Sequence, residues 1–349
     1  MATGVLPEVM DPADRLLLDE AAGLLDNAAV VVIDGIGIAQ ELEARVAGLR
    51  IVLDSAAAAD YFSAPLPAEE ALAGADVVLL RLPKSLERLD DIARLVARNA
   101  KPTVTLIASG RLKYMTLGMN EVLSQSFGDV RASLARQKSR VLFASSPLIV
   151  EAPLARRHYH HEFDLWAVAW GGVFAGTSID IGTRAMLETF DSLPEFATAI
   201  DLGCGTGMLA AELKRRRPNA LVIGSDDSDA AARSARETMA ANGLDVEIRH
   251  EDTLNSIPDA SVDLIVLNPP FHSGGPVSTD IAQAMFVVAA RKLKPGGQLR
   301  TVWNTHLGYE RPLANLVGPT NEIFRNAKFT VTVSTTPSAK LSRIDSGTN

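Results

Sequence analysis

Short β-branched runs alternate with helical patterns twice along this chain, and that doubled alternation confines it to a parallel α/β fold. In the second half, runs at 199–202, 221–225, 247–250, 262–267 and 298–303 predict strands, with helices over 208–217, 230–242 and 279–292. A late pair near 321–325 and 329–334, with Asn326 and Ala327 at its turn, predicts a closing antiparallel hairpin. The first half gives the same order: strands at 29–33, 50–53, 76–80, 102–107 and 140–144, and a helix over 85–99.

The two halves can be laid over each other. Asp34-Gly35-Ile36-Gly37 falls on Asp201-Leu202-Gly203-Cys204, Leu82-Pro83 on Pro269-Pro270, and Lys101-Pro102 on Lys294-Pro295. This predicts a duplicated domain with one working and one degenerate copy, because the first copy has no third glycine and carries Arg81 where the second has Asn268. The expected boundaries are 1–155 for the degenerate copy, 156–177 for a linker and 178–349 for the working copy. The working copy is expected to hold a seven-stranded, mostly parallel sheet ending in the antiparallel hairpin.

Bulk composition narrows the classes. At 349 residues, 47% hydrophobic and 22% charged, the chain is long enough for two domains with real cores. No apolar run approaches the ~20 residues that a membrane helix needs, so no membrane partner is expected. Glu8, Asp11 and Asp14, without a basic segment, argue against a secretory signal. One cysteine, Cys204, rules out an intrachain disulfide and points to a reducing compartment, hence the cytoplasm. His250 and His306 lack partners at ligand spacing, so no metal is expected.

A net charge of −8 argues against a protein that coats nucleic acid. The charge is uneven, however. Residues 111–161 hold 8 basic and 3 acidic side chains, whereas 1–110 hold 9 basic and 17 acidic. This positive island reads equally as a solvated face or as a polyanion contact.

Ala199-Ile200-Asp201-Leu202-Gly203-Cys204-Gly205-Thr206-Gly207 predicts a strand feeding a glycine-rich turn ahead of a helix. Its glycines allow φ > 0 and close approach to a ligand, and open α/β sheets bind ligands beyond the C-terminal ends of their strands. The glycine spacing departs from the dinucleotide fingerprint. The next strand ends in Ser225-Asp226-Asp227-Ser228, where a carboxylate can accept both ribose hydroxyls or cap a helix; Asp226, first off the strand, is the candidate. Asp252 falls after the third strand, at the pocket rim or in a plain exposed loop.

The most specific element is Asn268-Pro269-Pro270-Phe271-His272 at the end of the 262–267 strand. An exocyclic NH₂ on a planar ring is a poor nucleophile, because its lone pair is delocalised. Accepting hydrogen bonds from both N–H groups, by the Asn268 side-chain oxygen and the Pro269 carbonyl, turns that lone pair outward. Two prolines stiffen the loop, and Phe271 offers a stacking face. Alone, Asn-Pro-Pro is as readily a turn; one strand–helix–strand unit beyond the glycine turn and the acidic strand end, the chemical reading dominates.

On these residues the chain resembles the class I methyltransferases. More narrowly, it resembles the bacterial ribosomal RNA guanine-N2 methyltransferases built from two tandem methyltransferase domains. The matching segments are Gly172-Val173-Phe174-Ala175, Ile179-Asp180-Ile181-Gly182, Asp201 to Gly207, Ala240-Ala241-Asn242-Gly243, Asn268 to His272 with Gly274, and Asn304 to Glu310. In the first half, Leu80-Arg81-Leu82-Pro83-Lys84-Ser85-Leu86 resembles the family's degenerate domain, closer to its large-subunit type. The resemblance implies S-adenosylmethionine as methyl donor, surrounded by Asp201, Gly203, Gly205, Asp226 and Asp252, with Phe174 and Asp180 closing over it. It implies that Asn268, Pro269, Pro270 and Phe271 hold a guanine. It implies ribosomal RNA, free or in a subunit, as partner, and an RNA-binding role for the first half. The duplication suggests a monomer.

Three other readings stay open. A protein glutamine amide has the same NH₂ geometry, although enzymes of that class carry Tyr at the position of Phe271 and a helical N-terminal part. Adenine-N6 methylation would use the same loop. A scaffold that binds donor or RNA without turnover is the non-enzymatic alternative, against which the intact Asn268-Pro269-Pro270 argues.

Overall fold

The computed structural model describes residues 10–62, 65–270 and 276–338. The chain clusters into two compact units. The first runs as far as Arg156 and includes Ala169–Gly176 and Ser228–Ala230; the second takes the remainder.

The first unit contains β1 (Val30–Ile33), β2 (Arg50–Val52), β3 (Val77–Arg81), β4 (Thr105–Arg111), β5 (Phe127–Ala132) and β6 (Ser139–Pro147). They form one sheet in the order β2-β1-β3-β4-β6-β5, with β6 antiparallel to both its neighbours. Val31, Ile33, Val78 and Leu80 point into one apolar cluster, and Val30, Val32, Val77 and Leu79 into another. Burial on both faces is why these strands read as continuous apolar runs in the sequence. The helix Pro12–Ala21 covers the second face through Leu16, Leu17 and Ala21, capped by Asp11, whose carboxylate accepts from the Ala13 N–H.

The stretch 156–177, expected as a linker, carries a two-stranded sheet of β7 (Arg156–His160) and β8 (Leu165–Ala169). Its positive charge is partly consumed locally: Arg156 lies 3.7 Å from Glu87 and 3.6 Å from Asp91. His160 is buried, with Nε2 2.7 Å from the Thr177 carbonyl oxygen.

The second unit contains β9 (Thr198–Leu202), β10 (Leu221–Asp226), β11 (Glu247–His250), β12 (Val262–Leu267), β13 (Leu293–Asn304), β14 (Thr320–Arg325) and β15 (Phe329–Thr335). Their order is β11-β10-β9-β12-β13-β15-β14, a seven-stranded sheet that is parallel except for the β14–β15 hairpin on β13. This is the class I methyltransferase arrangement. It places the ends of β9, β10 and β12 side by side at the point where strand order reverses, the position at which open α/β sheets bind ligands.

Matching the two orders shows the duplication directly. β2-β1-β3-β4-β6-β5 repeats β10-β9-β12-β13-β15-β14, and among the described residues the first unit has no counterpart of β11. Leu80 pairs with Ala108 as Leu267 pairs with Thr301, so Arg81 corresponds to Asn268 and Lys101 to Lys294. One expected match is corrected. Ile33 pairs with Leu80 and Leu202 with Leu267, so Asp34 corresponds to Gly203 and not to Asp201. Similar Asp-Gly letters had suggested an alignment two residues away from the one the hydrogen-bonded ladder sets.

Candidate active site

Asn268 is the first residue past β12. Its side-chain amide is pinned from one side. Nδ2 donates to Asp180 Oδ2 at 3.1 Å and to Thr183 Oγ1 at 3.0 Å. The carboxylate of Asp180 is an acceptor only, which fixes which end of the amide is nitrogen. The other end, Oδ1, is buried and has no hydrogen-bond partner among the described residues. A buried amide oxygen without a partner costs on the order of 1–3 kcal/mol, so its presence calls for a ligand donor.

The clamp is built by the start of a helix. Asp180 is the N-cap of Ile181–Leu187, accepting from the N–H groups of Gly182 at 2.7 Å and Thr183 at 3.3 Å. Thr183 Oγ1 also donates to Asp180 at 2.5 Å. Gly182 leaves the clamp room, for a Cβ there would sit 3.4 Å from Asn268 Oδ1 and 3.2 Å from Phe329. Thr183 was not singled out in the sequence. The available signal was an Asp N-cap with Thr three positions on, the spacing at which a capping residue meets its first turn.

The glycine-rich turn follows β9. Gly203 and Cys204 N–H groups donate to the Ser225 carbonyl at 2.8 and 3.0 Å, which ties the turn to the end of β10. Gly205 N–H donates to Asp226 Oδ2 at 2.8 Å. Gly207, at φ 81°, starts the helix Met208–Arg216, and a Cβ on it would lie 2.8 Å from Met239 Cε. A Cβ on Gly205, at φ 55°, would meet nothing within 4 Å, so this backbone faces open space.

Asp201 is 1% exposed and accepts the Ala210 N–H at 3.0 Å through Oδ2. Burial pushes its carboxyl up to about 7; the Ala210 hydrogen bond opposes this, and the nearby Asp226 charge adds to it. Burial likewise raises the Cys204 thiol well above its ordinary value, so Cys204 is an inert packing residue here.

The remaining candidates divide as follows. Pro269 is buried and Pro270 exposed, directly after Asn268. Asp252 is exposed in the loop after β11. Asp180, expected over the donor, accepts from Gly182, Thr183 and Asn268. Phe174 is 51% exposed, on the segment Ala169–Gly176 that clusters with the first unit. Phe271 and His272 lie outside the described residues.

The first unit keeps the framework of this clamp and replaces its chemistry. Its capped helix Pro12–Ala21 offers Asp11 at the N-cap and Asp14 three residues on, as Asp180 and Thr183 do. What they hold is Arg81: Nη1 lies 2.5 and 2.6 Å from the Asp14 oxygens, and Nη2 lies 3.6 Å from Asp11. No amide oxygen remains to accept from a substrate. Where the second unit has its glycine turn, Asp34 accepts the Asp54 N–H at 2.9 Å and lies 3.5 Å from Arg88.

Comparison with known proteins follows the same division. Residues 164–333 match the model of the methyltransferase small domain, and residues 53–147 match that of the RLMG N-terminal domain. The chain is 33% identical over 345 residues to a ribosomal RNA large subunit methyltransferase G of Pseudomonas syringae pv. tomato, covering 93% of this chain and 92% of that protein. It is 34% identical over 265 residues to the protein of the same name from Streptomyces avermitilis, covering 73% and 70%. Among solved structures, the T. thermophilus 16S rRNA N2 methyltransferase RsmC, in complex with AdoMet and guanosine, shares the fold. Its TM-score is 0.79 at 24% identity, over 94% of this chain and 92% of that one. The chain belongs to the ribosomal RNA large subunit methyltransferase G family.

Proposed function

We propose that the second unit transfers a methyl group from S-adenosylmethionine to the exocyclic N2 amine of a guanine in large-subunit ribosomal RNA. The observation that carries this reading is the half-satisfied amide of Asn268: nitrogen held by Asp180 and Thr183, oxygen buried with no partner among the described residues. An acceptor fixed in that way suits an N–H donor on a planar ring. The names of the relatives, and the guanosine bound to the T. thermophilus enzyme, support guanine in ribosomal RNA as the source of that N–H.

The donor's fit rests on the glycine turn. Gly205 gives open backbone at the strand ends, with Gly203 beside it at φ 72°, and Asp201 and Asp226 bring carboxylates to a cationic ligand. Asp252 would contact the adenine side. When bound, S-adenosylmethionine supplies an electrophilic methyl group on a positively charged sulfur. Asn268 Oδ1 accepts one N–H of the guanine amine and the Pro269 carbonyl the other, which turns the nitrogen lone pair out of the ring plane. Asp180 and Thr183 keep the Asn268 amide from rotating, so the acceptor is in place before the base arrives. Phe271 would stack on the base. Holding both reactants in line is the principal catalytic contribution.

The first unit, with Arg81 where the acceptor amide should be, is read as an RNA-binding copy without turnover. Ribosomal RNA as substrate and the single Cys204 are in keeping with a cytoplasmic enzyme, and the internal duplication with a monomer. Among the described residues no helix is long and apolar enough to cross a membrane.

The test is to incubate the purified protein with methyl-labelled donor and, separately, deproteinised ribosomal RNA, intact large subunits and total cell protein. Labelled N2-methylguanosine is the expected product. Label in N6-methyladenosine or N5-methylglutamine would overturn the guanine assignment. Bound donor with no label in any sample would favour a scaffold.

A further inference from the structure

The first unit holds a cavity of about 780 Å³ at the end of β3 and β4, with Arg81 and Leu82 in its wall. By strand register these two residues correspond to Asn268 and Pro269, so the cavity stands where the catalytic copy would receive its base. Its lining differs in kind from a catalytic pocket. Arg81 and Arg111 are already neutralised by Asp14 and Asp11. Lys84, Lys113 and Lys138 are exposed on its rim, and among the described residues none has a carboxylate within 4.0 Å. Two of them are gathered by one ring: the Nζ of Lys84 lies 4.9 Å and that of Lys113 4.5 Å from the centroid of Tyr114, itself 47% exposed. Below the rim, Leu82, Met115 and Met119 give an apolar wall.

Two lysines at one aromatic ring and a third on the same rim, none with a carboxylate partner among the described residues, over an apolar wall, match a nucleotide. Phosphate draws the ammonium groups, and the vacated face of Tyr114 takes a base. The volume is ample for one nucleotide. We infer that this cavity binds one unpaired nucleotide of the RNA substrate, its phosphate on Lys84, Lys113 and Lys138 and its base against Tyr114. The degenerate copy thus keeps a base-sized recess at the old acceptor position and reads a strand there without reacting with it. This inference rests on the RNA methyltransferase reading above.

The experiment uses the full chain and two readouts. Binding of a fluorescent single-stranded RNA oligonucleotide is measured by anisotropy across salt concentrations, and methyl transfer to deproteinised ribosomal RNA is measured by kinetics. The triple variant Lys84→Ala/Lys113→Ala/Lys138→Ala should weaken oligonucleotide binding and raise the KM for RNA roughly ten-fold or more. Its salt slope should fall by about 0.7, the value for one phosphate contact on a single strand. The kcat and the affinity for S-adenosylmethionine should stay as in wild type. Tyr114→Ala should weaken RNA binding about five-fold or more, and Tyr114→Phe should restore it, because every base presents a π-face to the ring. Unchanged KM, anisotropy and salt slope in the triple variant would overturn the inference. If wild type transfers no methyl to RNA, the function reading fails instead, and the anisotropy arm still judges the cavity.

Discussion

Asn268 and Asp201 show how far single side chains set this site. Asn268 has its nitrogen satisfied and its oxygen left over among the described residues, and the difference comes from a helix cap 88 residues earlier in the chain. Asp201 is the buried acid of the glycine turn, with its carboxyl raised to about 7. A group whose folded value lies above its unfolded value near 3.8 binds more protons in the folded state through the interval between them. Its contribution to stability is therefore full below about pH 4 and is lost as the pH rises through about 7. Asp201→Asn keeps an oxygen for the Ala210 N–H and removes the titration. Urea midpoints for this variant should change less between pH 4 and 7 than those of wild type. At pH 8 the variant should be the more stable, by a few kcal/mol at most, at about 1.4 kcal/mol per tenfold change in proton affinity. Parallel pH profiles for the two proteins would contradict the assignment.

At the scale of elements, one interaction recurs in both copies. Lys294 Nζ lies 2.6 Å from Asp263, whose other oxygen accepts the Ala197 and Thr198 N–H groups at 2.9 Å. Lys101 Nζ lies 2.8 and 2.9 Å from Asp76, which accepts the Ala29 N–H at 3.0 Å. Each ties the start of one central strand to the next strand and its neighbour. Lys101 is exposed and Lys294 half-buried, so most of the value lies in the charged acceptor for backbone N–H groups. Asp263→Ala should cost about 1.5–3 kcal/mol and Lys294→Ala about 1 or less, read from denaturant midpoints at constant m. Equal losses would place the energy in the ion pair.

Strands buried on both faces were legible because their residues form uninterrupted apolar runs, as at 77–80 and 264–267. The hairpin of β14 and β15 was legible from its turn. The helix Pro12–Ala21 was not, although Asp11 and Pro12 form a standard start, because its apolar face is only two turns long. The β7–β8 sheet was hidden by charge, since Arg156, Arg157 and His158 are polar residues with no alternating apolar partners. Of the site, Asn268 and the glycine turn could be read from spacing. The part played by Asp180 and Thr183 could not, because it depends on a contact across 88 residues of sequence.

Viewed as a whole, the molecule is one fold written twice, with the proposed chemistry in one copy. Each unit closes both faces of its own sheet with its own apolar clusters. Independent cores predict independent unfolding. Calorimetry should show two transitions, and S-adenosylmethionine should raise only one of them. At a concentration 100 times the dissociation constant, the donor should stabilise that unit by about 2.7 kcal/mol. A single transition that moves entire on adding donor would contradict this division.

The account turns on the Asn268 oxygen as the acceptor that activates the guanine amine. The most direct test is Asn268→Ala, assayed for methyl transfer at saturating donor and RNA, with donor affinity measured by calorimetry. The account predicts a fall in kcat of roughly 10²–10³, the loss typical of one oriented hydrogen-bonding group in a reacting site, with donor affinity nearly unchanged. A variant that turns over at the wild-type rate would contradict it.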